Sequence, residues 1–505
     1  MRFQTVHTPT SLTEGPISQA LISFALPLLL GNLFQQLYNT ADSLIVGNFL
    51  GSEALAAVSS SGNLIFLMVG LVNGVSMGAG VVIARYFGAK DYDRIQKTIH
   101  TLLAFGLVAG ALLTIVGVAL SPVMLRLMDT PETVLPDSIS YFRTYFTGSL
   151  AFVLYNICMG ILQAVGDSRH PLQYLIISSL VNVVLDLLFV GVFHMGVWSA
   201  AAATAISQLV SMALCLLRLM RSERAYRVSL RKIRFDRRAL LEILQNGLPA
   251  GLQNSIISIG NVVVQSNINQ FGAAAMAGCG AHSRIEGFGF LPVTCFTMAL
   301  TTFVSQNLGA KAYDRVKKGI RVGIFCSVTI AETVALLIFI FSPKLIGLFT
   351  GDAESIAFGV MHERTTTPFF FLLAYSHCMA AIFRGAGKST VPMLVMMLCW
   401  CIIRVIYVTV AVKFFPVLQT VSWAYPITWG LSTLVFTLYY FKADWMHAFE
   451  RREKHALSSF RRSPPSAASP AVFLFLPFGA RPFCRILYFH TRFFCTFSLF
   501  KSNPL

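Results

Sequence analysis

Apolar runs closed by Gly, Pro or charged clusters divide most of the chain. They predict helices near 20–46, 55–83, 98–120, 139–163, 171–193 and 199–217, then near 243–268, 276–304, 320–341, 361–383, 392–412 and 420–441. Each approaches or exceeds the roughly 20 residues that cross a bilayer. The pattern predicts an all-α polytopic membrane protein of 12 transmembrane helices. Between the sixth and seventh, Arg218 to Arg238 holds nine Lys and Arg against two acids and reads as a cytoplasmic linker. The expected layout is a six-helix lobe over 1–217, the basic linker over 218–242, a second six-helix lobe over 243–445 and a basic tail over 446–505.

Composition agrees. Of 505 residues, 55% are hydrophobic and 12% charged, about half the roughly 25% charged content of a soluble domain. That excludes a soluble enzyme. The surplus of 39 Lys and Arg over 22 Asp and Glu gives +17, but its location argues against nucleic-acid binding. Loops 2/3 (Arg85, Lys90, Arg94, Lys97), 4/5 (Arg169), 6/7, 8/9 (Lys311, Arg315, Lys317, Lys318) and 10/11 (Arg384, Lys388) are basic. The intervening loops carry Glu53, Asp129, Glu132, Asp137, Asp352 and Glu354. By the positive-inside rule the basic loops and both chain ends are cytoplasmic. Residues 1–16 lack the layout of a cleavable signal, so the first apolar stretch is expected to remain as the first span. The ten Cys are scattered singly and read as small apolar residues.

The chain repeats itself. Gly88-Ala-Lys-Asp-Tyr-Asp-Arg-Ile-Gln-Lys97 recurs as Gly309-Ala-Lys-Ala-Tyr-Asp-Arg-Val-Lys-Lys318, an offset of 221. The same offset places Gly51 on Gly272, Ser121-Pro122 on Ser342-Pro343, Arg143-Thr144 on Arg364-Thr365 and Gly166 on Gly387. An even number of spans per copy inserts both copies the same way up. Two parallel six-helix repeats related by a pseudo-two-fold axis along the membrane normal enclose a cleft between them, and alternating access is the expected mechanism. Residues 458–505 stand outside the repeat, with ten Phe, six Pro and no acid. They read either as a disordered, basic, membrane-touching tail or, as the composition favours, as the product of a shifted reading frame, and no function is assigned to them.

Acids inside spans are costly and mark pathways. Asp42, Asp186, Glu286 and Glu332 stand out. Asp42 ends a stripe of Asn32, Gln35, Asn39 and Asp42 on one helical face, which must look into the bundle or a wet cavity. Pro27 near the start of that span would bend it. Asn182 lies one turn before Asp186 and shares its face. If Asp42 meets this pair, two carboxylates share a poorly solvated site that can exchange a proton or bind Na⁺, with Asn156 and Thr204 able to add oxygen ligands. No other metal site is expected.

In the second repeat Asn254, Ser258, Asn261 and Gln265 keep a polar stripe without an acid, and Val264 and Tyr407 replace the two aspartates. Coupling is therefore expected in the first lobe, with the second shaping the substrate cleft. Arg284 and Glu286 point to different helix faces, with His282 and His377 as possible company, while Glu332 and Arg404 find no partner in the sequence. Walker A, H-E-x-x-H and G-x-S-x-G motifs are absent, so no cofactor or nucleotide is expected and an ion gradient must drive transport.

Pro27-Leu-Leu-Leu-Gly-Asn-Leu-Phe-Gln-Gln-Leu-Tyr-Asn-Thr-Ala-Asp42, the Gly47-Asn-Phe-Leu-Gly51 turn with Ala54-Leu-Ala-Ala57, and the duplicated Gly-Ala-Lys-x-Tyr-Asp-Arg loops resemble the multidrug and toxin extrusion (MATE) transporters over residues 15–445. The resemblance implies a monomeric antiporter in a bacterial cytoplasmic membrane that expels amphipathic, often cationic drugs in exchange for Na⁺ or H⁺. Residues matching the family's N-lobe cation site are Asp42, Asn156, Asn182, Asp186 and Thr204; the cleft would be lined by Asn32, Gln35, Asn39, Asn254, Asn261, Gln265, Arg284 and Glu286. Some relatives place acids in the C-lobe, and none is expected here in the seventh and tenth spans. Two rivals are a lipid-linked sugar flippase, which would favour a cleft rich in Arg and Lys, and a membrane-embedded transferase, which would need a nucleophile or a His and carboxylate constellation at one membrane face.

Overall fold

The computed structural model describes residues 12–127, 130–447 and 450–451. The chain divides after Glu450, and beyond it only Arg451 is described. Asp129 and the expected tail from residue 452 onward lie outside the described residues.

Twelve spans account for the helices among the described residues, apart from a 3₁₀ turn in the linker (Leu230–Lys232). The first six are α1 (Ile17–Leu50), α2 (Ser52–Gly88), α3 (Tyr92–Leu127), α4 (Leu135–Thr147) with α5 (Ser149–Ala164), α6 (Arg169–Asp186) with a π-helical extension (Leu187–Val192), and α7 (Trp198–Arg221). Of the second six, three are unbroken: α8 (Arg237–Asn269), α9 (Ala273–Gly309) and α10 (Tyr313–Gly347). The tenth span is α11 (Ala353–Thr366) with a 3₁₀ turn (Thr367–Phe369) and α12 (Phe370–Gly385). The last two are α13 (Thr390–Met396) with a π segment (Met397–Ile403) and α14 (Arg404–Phe414), and then α15 (Leu418–Lys442). Among the described residues, 8 helices are long and apolar enough to cross a membrane, and α4 with α5, bent by 47°, makes up to 9. On α8 the amides of Gln253, Asn254, Asn261 and Gln265 interrupt the apolar run.

The duplication is written in the backbone. Positive φ angles occur at Gly51 and Gly272 (89° and 94°), at Lys90 and Lys311 (56° and 57°), and at Gly166 and Gly387 (91° and 69°), each pair at the same offset. At the lysines the hydrogen bonds also match: Asp91 N donates to Tyr86 O at 3.0 Å and Ala312 N to Asn307 O at 2.9 Å. Both are left-handed helix caps that use up otherwise orphaned carbonyls. The fourth and tenth spans break at equivalent places by different means. Gly148 lets α7 approach so closely that a side chain would overlap Ala205. In the other copy Pro368 lacks the N–H that would continue the helix. There Glu332 of α10 accepts from Phe371 N at 2.5 Å, satisfying a donor freed by the break and giving that isolated acid a role.

The lobes meet tightly at the end that carries the basic loops. Gly74 and Gly78 of α2 rest on the backbone of Gly251 and Gly247 of α8, an approach that only small residues permit. Ser305 Oγ donates to Val81 O at 2.6 Å, and Gln306 Nε2 to Ala164 O at 2.8 Å. Arg85 and Tyr86 both donate to Glu242 Oε2, at 3.1 and 2.5 Å. The segment leading into α1 is clipped to the second lobe: Arg315 donates to the carbonyls of Leu12, Glu14 and Gly15.

α1 contributes to the cores of both lobes. Its first half, Leu21, Phe24, Ala25 and Leu28, packs into the core of the second lobe with Phe296, Ala299 and Phe303. Its second half, Ile45 and Val46, packs with Tyr141, Val190 and Ala200 of the first. The basic linker is ordered, since Gln96 donates to Ala225 O and Arg227 O, Ser229 N donates to His100 Nε2, and Asp236 caps α8 by accepting from Ala239 N at 2.9 Å.

Candidate functional site

The stripe on α1 delivers Asp42 to the carboxyl group of Asp186, which lies at the end of α6 where the helix widens into its π-helical extension. Asp186 is fully buried, and neither of its oxygens meets a donor; Asp42 Oδ1 and Asn182 Oδ1 are likewise buried without one. Asn182 Nδ2 donates to Thr204 Oγ1 at 3.4 Å, which leaves its carbonyl oxygen free beside Asp186. Carboxylates are acceptors only. Two of them in contact, with a free amide oxygen alongside, make an arrangement of acceptors chemically able to take a proton or a small cation. Tyr38, one turn before Asp42, and Tyr141 of α4 flank the pair, and no motif or spacing in the sequence marks either as a site residue.

Asn156 is placed elsewhere. Its Nδ2 donates to Phe152 O at 2.8 Å, and it lines a cavity of about 400 Å³ between the lobes instead of joining the carboxylates. That cavity is built from equivalent residues of the two repeats: Asn73 with Thr294, Ser76 with Thr297, Met77 with Met298, Asn156 with His377, and Gln163 with Arg384. Asn254 also lines it. Arg384, expected in the basic loop before Gly387, belongs to the last turn of α12, and its side chain forms part of the cavity wall.

Other expected cleft residues scatter. Asn32 Nδ2 contacts Cys295 Sγ at 3.3 Å, joining α1 to α9 across the lobes. Gln35, Asn39 and Asn261 are exposed, and exposed Gln265 donates to Asn269 Oδ1 at 2.9 Å. Arg284 is exposed on α9 and makes no ion pair with Glu286. Glu286 turns inward, where its Oε2 lies 3.7 Å from His282 Nε2.

His282 also bonds Glu363, and this corrects the expectation that the tenth span holds no acid. Glu363 is fully buried on α11, with Oε1 lacking any partner. The ring of His362 stands edge-on to His282, with centroids 4.4 Å apart, and its Nδ1 is 2.6 Å from Ser422 Oγ. Arg404, also unpaired in the sequence, donates to Thr428 Oγ1 at 2.9 and 3.2 Å and stacks over Tyr425 at 4.6 Å. His362 and Tyr425 occupy the places of Tyr141 and Thr204, so this cluster stands in the second lobe where the carboxylate pair stands in the first. His377 takes no part; it packs edge-on against Phe290 and Trp400.

Known proteins agree with this architecture. The chain is 28% identical over 387 residues to the probable multidrug resistance protein YoeA of Bacillus subtilis, covering 75% of this chain and 84% of that protein. It is 27% identical over 413 residues to the probable multidrug resistance protein NorM of Thermotoga maritima, covering 81% and 88%. A solved structure described as the outward-facing conformation of a multidrug resistance MATE family transporter superimposes with a TM-score of 0.81 at 23% identity, over 91% of this chain and 100% of that one. The family model MatE matches residues 27–188 and 249–410, one match in each repeat. A duplicated twelve-span bundle with those two matches is a transporter and not an enzyme: the chain belongs to the MatE family.

Proposed function

We propose that the chain is a secondary active multidrug exporter, which moves amphipathic small molecules out of the cell in exchange for H⁺ or Na⁺ by alternating access. The observation that carries the reading is the Asp42 and Asp186 pair, in which Asp42 Oδ1 and both oxygens of the fully buried Asp186 lack donors among the described residues. Asp42 rides on α1, whose first half packs into the second lobe and whose second half packs into the first, so occupancy of the pair bears on the contact between lobes. The lobes are closed at the end with the basic loops; if that end is cytoplasmic, as charge distribution argues, the cavity opens outward. Loading the pair from outside would favour release of cargo and inward rocking, and loss of the ion inside would reset the pump. One charge falling through about 100 mV supplies about 2.3 kcal/mol to this cycle.

The names of the relatives support export of small molecules. The flippase reading is weaker, because a single guanidinium lines the cavity where a pyrophosphate headgroup would call for several. The test is efflux of preloaded dye, ethidium or fluorescein, from proteoliposomes with a Na⁺ gradient or a pH gradient imposed separately. Efflux driven by either gradient and abolished in Asp42→Asn is expected. Efflux that needs neither gradient, or survives that substitution undiminished, sinks the proposal.

A further inference from the structure

We infer that the cavity between the lobes takes organic anions, with Arg384 holding a carboxylate, phosphate or sulfonate borne on an aromatic or otherwise apolar body. This rests on the reading of the chain as a transporter and names the substrate class of that same cavity.

Among the described residues lining the cavity there is one guanidinium and no carboxylate. Phe24, Phe290, Met77 and Met298 make much of its wall apolar, which suits a ring system. Among the described residues Arg384 has no ion pair. Its one polar contact is Nη1 to Met77 Sδ at 4.0 Å, and its Nε is shielded from solvent with no hydrogen-bond partner. An unpaired charge within a membrane protein is expensive, and such residues are kept where something completes them. The planar fork of arginine matches the two oxygens of a carboxylate or phosphate better than any other side chain does. A cationic guest would instead bring a second positive charge into a poorly screened space with nothing to neutralise either.

The first repeat supplies an internal control. Gln163 occupies the position equivalent to Arg384 and lines the same cavity. The helix ends that follow are alike, with Asp167 N donating to Leu162 O at 2.9 Å and Lys388 N to Phe383 O at 2.8 Å. A neutral side chain therefore suffices for this turn of helix, and packing does not account for the charge. Its volume of about 400 Å³ suits a small-molecule ligand.

The experiment is equilibrium binding to the purified full chain in detergent, with fluorescein as the anionic probe and ethidium as a cationic probe. Fluorescein is expected to bind and ethidium to compete poorly. R384Q should weaken fluorescein binding by about ten- to a hundredfold, the range for losing a charged hydrogen-bond partner, and R384K should weaken it less. Ethidium binding more tightly than fluorescein to the unmodified protein would overturn the inference, and this comparison requires no variant to fold. Unchanged fluorescein binding by R384Q would overturn it too. Displacement of fluorescein by equimolar phosphatidylglycerol would assign the guanidinium to a lipid headgroup and equally overturn it. Because binding is read without a gradient, failed efflux would sink the transport reading while leaving this result standing.

Discussion

Gly78 of α2 lies against Gly247 of α8 so closely that a methyl group at Gly78 would overlap the backbone of Gly247. Because backbone cannot yield as a side-chain tip does, G78A should force the two lobes apart at their closed end. Overpacking of this kind costs about 1–3 kcal/mol. The expected outcome is a lower melting temperature in detergent, together with labelling of a cysteine placed at Ser305 by a membrane-impermeant maleimide. A variant that melts and labels like the parent would show that the seam is not tight.

The carboxylate pair should behave as one unit. D42N and D186N each replace an acceptor with a group that can donate a hydrogen bond to its partner, so either change fills the site without a cation. Both variants should fold, insert and lose gradient-driven efflux, and the double variant should be no worse than either single one. Independent, additive losses in vesicle efflux would separate the two residues.

His282 and Glu363 are a buried pair whose members hold each other. Removing one leaves the other's polar group stranded in the interior, a change that costs about 3–5 kcal/mol. H282A should therefore lower thermal stability strongly, whereas H282A with E363A should recover part of the loss. Melting curves of the two variants that showed no recovery would contradict the pairing.

Glu332 holds the start of α12 through Phe371 N. E332A should lower stability by about 0.5–2 kcal/mol, the usual cost of losing a helix-end acceptor, and E332Q, which keeps an acceptor oxygen, by less. Equal melting temperatures for all three proteins would remove this role.

The architecture was legible because lipid imposes it: twelve apolar runs, alternating loop charge and a single repeat offset lead to the twelve spans in two copies. Asp42 and Asp186 were legible for the same reason, since acids in hydrocarbon need a partner, and the stripe with Asn39 showed which face would meet it. Glu363 was not. It lies two residues into its predicted span, beside Arg364, and reads as a loop charge; only the fold brings His282 to it. Arg384 misled in the same way, three residues before Gly387, because linear position does not reveal that its last helical turn faces the space between the lobes. Asn156 reads as an oxygen ligand because it is a polar residue inside the fourth span, while its helix turns it toward the cavity. The linker's order was invisible because its anchors, Gln96 and His100, lie more than a hundred positions away.

The pairing of Gln163 with Arg384 has an electrical consequence. If the two halves were identical, no net field could cross the cavity from one side to the other. A neutral amide on one wall and a guanidinium on the opposite wall give it a fixed polarity, so a dipolar guest would settle with its electron-rich end toward the second half whichever way the pump happens to face.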